Sequence, residues 1–181
     1  MMKSRAHAEI TLLMEALAFS AYKHRNQRRK DVDASPYINH PIALARVLAV
    51  EGNITDHKTL AAAILHDTLE DTETTYEELK DKFGRVIAQA VREVSDDKTL
   101  SKVDRKRLQI EHARHLSRRA RLVKLADKTC NVRDMAAHPP HGWELARRRE
   151  YFDWAKKVVD QIRGTSAHLE VAFDEAFAAR P

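Results

Sequence analysis

The chain has 181 residues, a length suited to one compact domain and short for two. Hydrophobic residues make up 43% and charged residues 33%, with Lys+Arg 32 against Asp+Glu 27 and a formal net charge of +5, as expected for a soluble globular protein with a heavily charged surface. Four glycines and five prolines are too few for an all-β sandwich or barrel, which needs a turn signal about every 8–12 residues, and the steady supply of Leu, Ile, Val and Ala excludes disorder over most of the chain.

The first segment carries Ile10, Leu13, Met14, Leu17 and Ala21 at three- and four-residue steps, which predicts an amphipathic helix with that stripe on one face. The basic stretch 24–37, HRNQRRKDVDASPY, has no apolar period and reads as a long loop. A second helix is expected from Asn39 as N-cap, with Pro41 in its first turn, Ile42, Ala45 and Leu48 facing inward, and Gly52 ending it. The third starts near Asp56 and buries Leu60, Ala63, Ile64 and Leu65. Thr74 and Glu77 form a T-x-x-E capping box for a short helix stopping at Gly84. Val86, Ile87, Ala90, Val91 and Val94 mark the next. A basic helix over about 103–116 and another over 117–135 follow, then a break at His138-Pro139-Pro140-His141-Gly142 and two final helices separated by Gly164. No strand, internal repeat or linker stands out. The expected architecture is all-α: one domain over residues 1–181, a bundle of roughly eight to ten helices.

A single cysteine, Cys130, excludes an internal disulfide and a cysteine-based zinc cluster. No apolar leader opens the chain, and no run approaches the roughly 18 residues that span a bilayer. A cytoplasmic protein without a membrane partner is therefore expected.

The segment AAAILHDTLED (61–71) runs from apolar residues straight into His66, Asp67, Glu70 and Asp71. On a continuous helix, His66 and Glu70 stand at i,i+4, as do Asp67 and Asp71. Charged groups beside a buried run are costly unless paired, and a divalent metal pairs them economically. Taken alone, the segment reads equally well as an ordinary helix end with solvated acids. Two further signals shift the balance. PYINHP places His40 at a loop-to-helix junction, and LVKLADKTCNVRD places Asp127 in an apolar helix with Asn131 one turn later. His40, His66, Asp67 and Asp127 then form a two-His, two-Asp site from three helices, able to acidify a water. Glu70, one turn after His66, is the better-placed proton acceptor, with Asp71 sharing the role or orienting the water. Arg29, Lys30, Lys124 and Arg133 are candidate cationic clamps for phosphate, and an arginine plane such as that of Arg29 can stack on a base.

The order H…HD…D resembles the signature of the HD phosphohydrolase superfamily, an all-α fold. The longer strings RRKD, SPYINHP, ALAAAILHDTLEDT, DDKTL and LVKLADK followed by NVRD resemble the hydrolase domain of the Rel/Spo alarmone enzymes. In length the chain is most similar to the stand-alone Mesh-type small alarmone hydrolases. The resemblance implies metal-dependent removal of the 3′-diphosphate from guanosine 3′,5′-bis(diphosphate), ppGpp, and its pentaphosphate relative pppGpp, giving GDP or GTP and pyrophosphate. It implies Mn2+ as the metal, with His40, His66, Asp67 and Asp127 at the ligand positions and Glu70 and Asp71 at the acidic pair. Asn131 matches a residue near the substrate ribose and phosphate. Arg29 and Lys30 match a basic pair approaching the nucleotide, and Tyr37 lies on the same loop. ADKTCN departs from the ADRLHN of long Rel enzymes at three positions between Asp127 and Asn131, leaving both in place. Lys98, in DDKTL, matches the pattern without a derivable role. With the hydrolase pattern using nearly the whole length, no synthetase domain is expected.

Three other functions compete with this one, and a degenerate HD domain that binds nucleotide without turnover is disfavoured, because it would normally lose the ligands or the acidic pair, all present in this sequence. Mesh-type relatives are associated with removal of the NADPH 2′-phosphate, chemistry the same ligands would serve. Residues 102–124 carry nine Lys or Arg against two acids, which suits a nucleic-acid-binding helix and equally suits the steering of a tetra- to penta-anionic substrate to the site. The nucleic-acid partner is disfavoured, because the segment lacks aromatic stacking residues and shows no helix-turn-helix or zinc-finger spacing. His24 reads as serving the end of the first helix or the loop.

Overall fold

Side-chain oxygens start most of the helices. In the computed structural model, which describes residues 4–181, Ser4, Asp56, Thr75, Ser101, Ser117 and Ser166 each accept a hydrogen bond from the backbone N–H three residues on. Each satisfies a donor that the first helical turn leaves without an internal partner. The helices are α1 (Arg5–Lys23), α2 (Asn39–Arg46), α3 (His57–Leu65), α4 (Thr68–Asp71), α5 (Tyr76–Phe83), α6 (Arg85–Val94), α7 (Lys102–Ala113), α8 (Arg118–Ala137), α9 (Leu145–Asp160) and α10 (Ala167–Ala178). A π-helical segment, Val47–Glu51, continues α2. Among the described residues the β pairing amounts to one isolated bridge, Arg28 to Pro36, so the protein is all-α. No described helix is long and apolar enough to cross a membrane.

The core is built around α3 and α8. Ala61, Ala62, Ala63 and Leu65 are fully buried, and α3 packs against α1, α2, α6 and α8. Three successive alanines let neighbouring helices approach α3 from several sides at once. Helix α8 is buried along most of its length and also meets α9 and α10. Site residues on α3 and α8 are therefore held by the best-packed part of the molecule.

Several local expectations are corrected. On α1, Ile10 and Met14 are 60% and 55% exposed, while Ala16 is buried and Leu13 and Leu17 pack partly against the core. Asn39 is already helical and caps nothing; Ile38 precedes it without a side-chain cap. The inward row is accordingly His40 and Leu44 of α2 with Leu48 of the π-helical segment, all buried, and Ile42 faces outward. The α5 cap is Thr75 with the Glu78 N–H, one residue later than the box predicted, because Thr74 is buried and its hydroxyl bonds to that of Thr72. Val86 is exposed although the rest of its stripe is buried.

Candidate metal centre

The stretch from His57 to Asp71 is not one helix. It breaks after Leu65, with His66 as the C-cap of α3 and Asp67 preceding the single turn of α4. Thr68 Oγ1 donates back to the Leu65 carbonyl at 2.7 Å, offering an alternative to the helical ladder. The i,i+4 pairs expected from a continuous helix are therefore replaced by a tighter turn that aims His66 and Asp67 at the same point.

That turn fixes the His66 ring. Its Nδ1 lies 2.8 Å from the Ala63 carbonyl, an acceptor, so Nδ1 keeps a proton and Nε2 is the atom aimed at the carboxylates, the one a cation would take in place of a proton. Nε2 is buried and has no hydrogen-bond partner, though Asp67 Oδ2 stands 3.0 Å away and Asp127 Oδ1 3.9 Å away. The His40 Nε2 lies 3.3 Å from the same Asp127 oxygen, and the two imidazoles meet edge to face with centroids 5.2 Å apart. Ligand atoms of His40, His66 and Asp67 all fall within 4.8 Å of one another. A buried, unpartnered nitrogen surrounded by carboxylate oxygens is the arrangement a divalent cation completes. Electrostatics agree. Burial pulls the His66 pKa down, but Asp67 and Asp127 outweigh it and push it up to about 9. Asp67 and Asp127 are held well below the usual carboxylate range: burial raises them, and for Asp67 the two imidazoles, for Asp127 Lys128 and the imidazoles, outweigh it.

The remaining acids are held from outside the cluster. Tyr37 OH donates to Asp67 Oδ2 at 2.6 Å and lies 3.3 Å from Asp71 Oδ2, so it braces the acids while also lining the larger cavity. Its ring stacks on the buried His24, centroids 4.8 Å apart, and Gln27, bonded to His24 Nδ1, donates to the Asp71 carbonyl at 2.6 Å. Lys98 pairs with Asp71 Oδ1, which supplies the contact that the DDKTL string alone could not. Glu70 Oε2 accepts from the Asp96 N–H at 2.9 Å, and Arg105 approaches Oε1 at 3.9 Å. Burial, reinforced by Asp96, Asp67 and Asp71, raises the Glu70 pKa.

Beside the acids lies a cavity of about 200 Å³, lined by His66, Asp67, Glu70, Lys124, Asp127 and Asn131 among others. It shares Arg29, Tyr37, His40 and Asn131 with a larger one of about 920 Å³, a size that takes a nucleotide-scale ligand. Arg29 pairs with Asp134 and sits 6.0 Å over the Tyr37 ring; the exposed Lys30 lines the larger cavity. Asn131 donates to Asp127 Oδ1 at 2.6 Å. Lys124 is buried, with its ammonium on the Val94 carbonyl at 2.8 Å, and burial lowers its pKa. Arg133 is turned away from these residues and makes a two-pronged bond to Glu51, at 2.9 and 2.8 Å. Cys130 is buried, which pushes its thiol up to about 12 and suits it to packing.

The basic stretch 102–124 contributes a wall of the larger cavity, and its aromatic partners are what the sequence reading missed. Lys102 and Lys106 of α7 lie 5.6 Å and 4.9 Å from the Trp143 and Trp154 rings, and Arg147 stacks 3.9 Å over Trp143. The basic helix thus does have aromatic partners, supplied by α9 and the turn before it. Burial and neighbouring cations lower the Lys102 and Lys106 pKa values, so the wall favours an anion that would relieve the crowding.

A family model described as "HD domain" matches residues 16–153. The chain belongs to the HD-domain family. Among its relatives in that family, the Xenopus tropicalis protein named guanosine-3′,5′-bis(diphosphate) 3′-pyrophosphohydrolase MESH1 is 53% identical over 170 residues, covering 94% of this chain and 95% of that one. The Homo sapiens protein of the same name is 52% identical, covering 96% and 97%. An Aquifex aeolicus guanosine-3′,5′-bis(diphosphate) 3′-pyrophosphohydrolase is 42% identical over 71% of this chain but only 18% of its own length. The solved structure of a metazoan SpoT orthologue that hydrolyses ppGpp superposes with a TM-score of 0.91 at 49% identity, covering 99% and 98%. An HD-domain assignment and the His/Asp cluster together point to a divalent metal.

Sequence reasoning left out Asp96, Arg105, Lys128 and Trp154. Signals existed for two of them: Asp96 opens the DDKTL string, and Lys128 sits in the same apolar run that singled out Asp127, where a buried lysine needs a partner as much as a buried aspartate does.

Proposed function

We propose that this HD-domain chain removes the 3′-diphosphate of ppGpp and pppGpp, releasing pyrophosphate and GDP or GTP, with Mn2+ as its metal. The observation that carries the reading is the buried His66 Nε2, unpartnered yet surrounded by Asp67, Asp127 and His40, in a chain that aligns almost end to end with pyrophosphohydrolases of that name.

His40, His66, Asp67 and Asp127 would hold the ion, which when bound acidifies a water and offsets phosphate charge. The chain's own groups do the rest. Glu70 accepts the proton of the attacking water; its raised pKa suits that task, and the Asp96 N–H holds one oxygen so that the other is available. Asp71, braced by Tyr37 and Lys98, orients the water. Water oxygen attacks the phosphorus next to the ribose, the P–O3′ bond breaks, the ribose oxygen takes up a proton from solvent, and Glu70 returns the water's proton to solvent. Arg29, Lys30, Lys102 and Lys106 receive the phosphates, Asn131 faces the ribose, and Lys124 adds positive charge to the inner wall.

The test is a substrate panel with the purified chain: ppGpp, pppGpp and NADPH, each with Mn2+, with Mg2+ and with chelator, and products separated as pyrophosphate or orthophosphate. Mn2+-dependent pyrophosphate release from the guanosine compounds is expected. Strong preference for NADPH with orthophosphate as product, or hydrolysis indifferent to chelator, would overturn the reading.

A further inference from the structure

Lys128 is nearly inaccessible, 4% exposed, and has two contacts that together hold it still. Its ammonium donates to Asp127 Oδ2 at 2.9 Å and lies 4.4 Å from the centroid of the Trp154 ring. Trp154 is itself anchored, since its indole N–H donates to the Lys106 carbonyl at 3.0 Å. A chain of contacts thus runs from the main chain of α7 through an α9 indole and an α8 ammonium to an acid at the centre of the cluster.

The two oxygens of Asp127 are divided by this arrangement. Oδ2 belongs to Lys128, whereas Oδ1 faces His40 Nε2 at 3.3 Å and His66 Nε2 at 3.9 Å. A carboxylate turns about its last torsion in a broad, shallow well, so its orientation must be imposed from outside. The Asn131 amide on Oδ1 restrains one side only. The long stem of a lysine does not stay in place unaided. The indole face supplies what keeps this one there, because a desolvated cation over an aromatic ring is strongly attracted to it.

We propose that Lys128, gripped between Trp154 and Asp127, is a positioning residue that fixes which oxygen of Asp127 faces the two histidines and so sets the affinity of the centre for its metal. The inference rests on the metal centre assigned under Proposed function. It also ties the metal ligand to α7, whose Lys102 and Lys106 line the larger cavity, so the cavity wall and the cluster are built as one unit.

The experiment titrates Mn2+ into the full chain by calorimetry, with the electron paramagnetic resonance spectrum of the bound ion as second readout. The variants are Lys128→Met, Lys128→Arg, Trp154→Leu and Trp154→Phe, with folding checked by circular dichroism. Lys128→Met is expected to weaken Mn2+ binding about 10- to 100-fold, the range for loss of an outer partner of a ligand, and to alter the spectrum. Lys128→Arg recovers most of the affinity, Trp154→Leu weakens binding by less than Lys128→Met, and Trp154→Phe, which keeps a ring face, by less again. A folded Lys128→Met chain with wild-type Mn2+ affinity overturns the proposal. Should that variant not fold, unchanged affinity in Trp154→Leu overturns it instead. Wild-type chain that binds no divalent metal would instead fail the Proposed function itself.

Discussion

The Tyr37 hydroxyl donates to Asp67 Oδ2 at 2.6 Å, the oxygen that also lies 3.0 Å from His66 Nε2. A residue of the basic loop thereby reaches across 30 positions to orient an acid of the cluster. The loop itself is shaped for this: the Arg29 N–H bonds to the Ser35 carbonyl and the Tyr37 N–H to the Gln27 carbonyl, at 2.8 and 3.2 Å. Tyr37→Phe keeps the ring on His24 and deletes only the donor. The variant is expected to fold with an almost unchanged melting temperature, yet to bind Mn2+ about tenfold more weakly, as when an outer partner of a ligand is lost. Calorimetry beside a thermal melt checks this, and equal affinity would reduce the hydroxyl to a packing detail.

Glu70 is separable from the ligands, because its held oxygen bonds to a backbone N–H. Glu70→Gln retains an oxygen for that bond and loses the ability to take a proton. Turnover should fall about 10²- to 10⁴-fold, the usual range for a general base, while Mn2+ affinity stays near wild type. His66→Ala and Asp127→Ala should lose metal and turnover together. Rate measurements at saturating Mn2+, paired with metal titration, separate the two patterns.

What could be read from the sequence follows the physics of each element. The long apolar runs that became α3 and α8, the helix starts near Asp56 and Ser117, and the three strings containing His40, His66-Asp67 and Asp127 all depend on neighbours in the chain, and the structure brings those four residues to one place. The break after Leu65 could not be read, because a helical period continues through it; the Thr68 hydroxyl on the Leu65 carbonyl is what competes with the ladder. The partners of Lys98, Arg105 and Trp154 lie 27, 35 and 48 residues away, and nothing local announces them. Arg133 shows the converse: its position beside the cluster in sequence suggested a phosphate clamp, but the helical turn points it at Glu51.

Gly52 ends the π-helical segment where that segment meets α10. A Cβ there would come within 2.7 Å of Leu169 Cδ2 and 2.8 Å of the Leu48 carbonyl oxygen. Its φ of −81° is open to any residue, so the constraint is space alone. The leucine can move, but the carbonyl belongs to the backbone of the preceding turn and cannot. Gly52→Ala should therefore destabilise the fold by about 1–3 kcal/mol, as overpacking does. Chemical denaturation measures it, and Mn2+ affinity should not change because the clash lies away from the cluster.

Glu51 and Arg133 join the end of the π-helical segment to α8 through two parallel bonds. The Arg133 hydrogen bond holds the Glu51 carboxyl below its ordinary value of 4.5. A depressed carboxylate contributes stability that is complete above the unfolded-state pKa and is lost as pH falls through the lower folded-state value. The pair is partly exposed, with side chains 26% and 36% accessible, so solvent screening keeps its contribution to about 1 kcal/mol or less. Glu51→Gln should consequently melt below wild type at neutral pH, and the gap should close as pH falls from about 5 towards 3, where the wild-type carboxyl takes up its proton. Melting curves of both proteins across that range decide it: a gap that stays constant down to the acid limit would mean that Glu51 acts through packing and not through its charge.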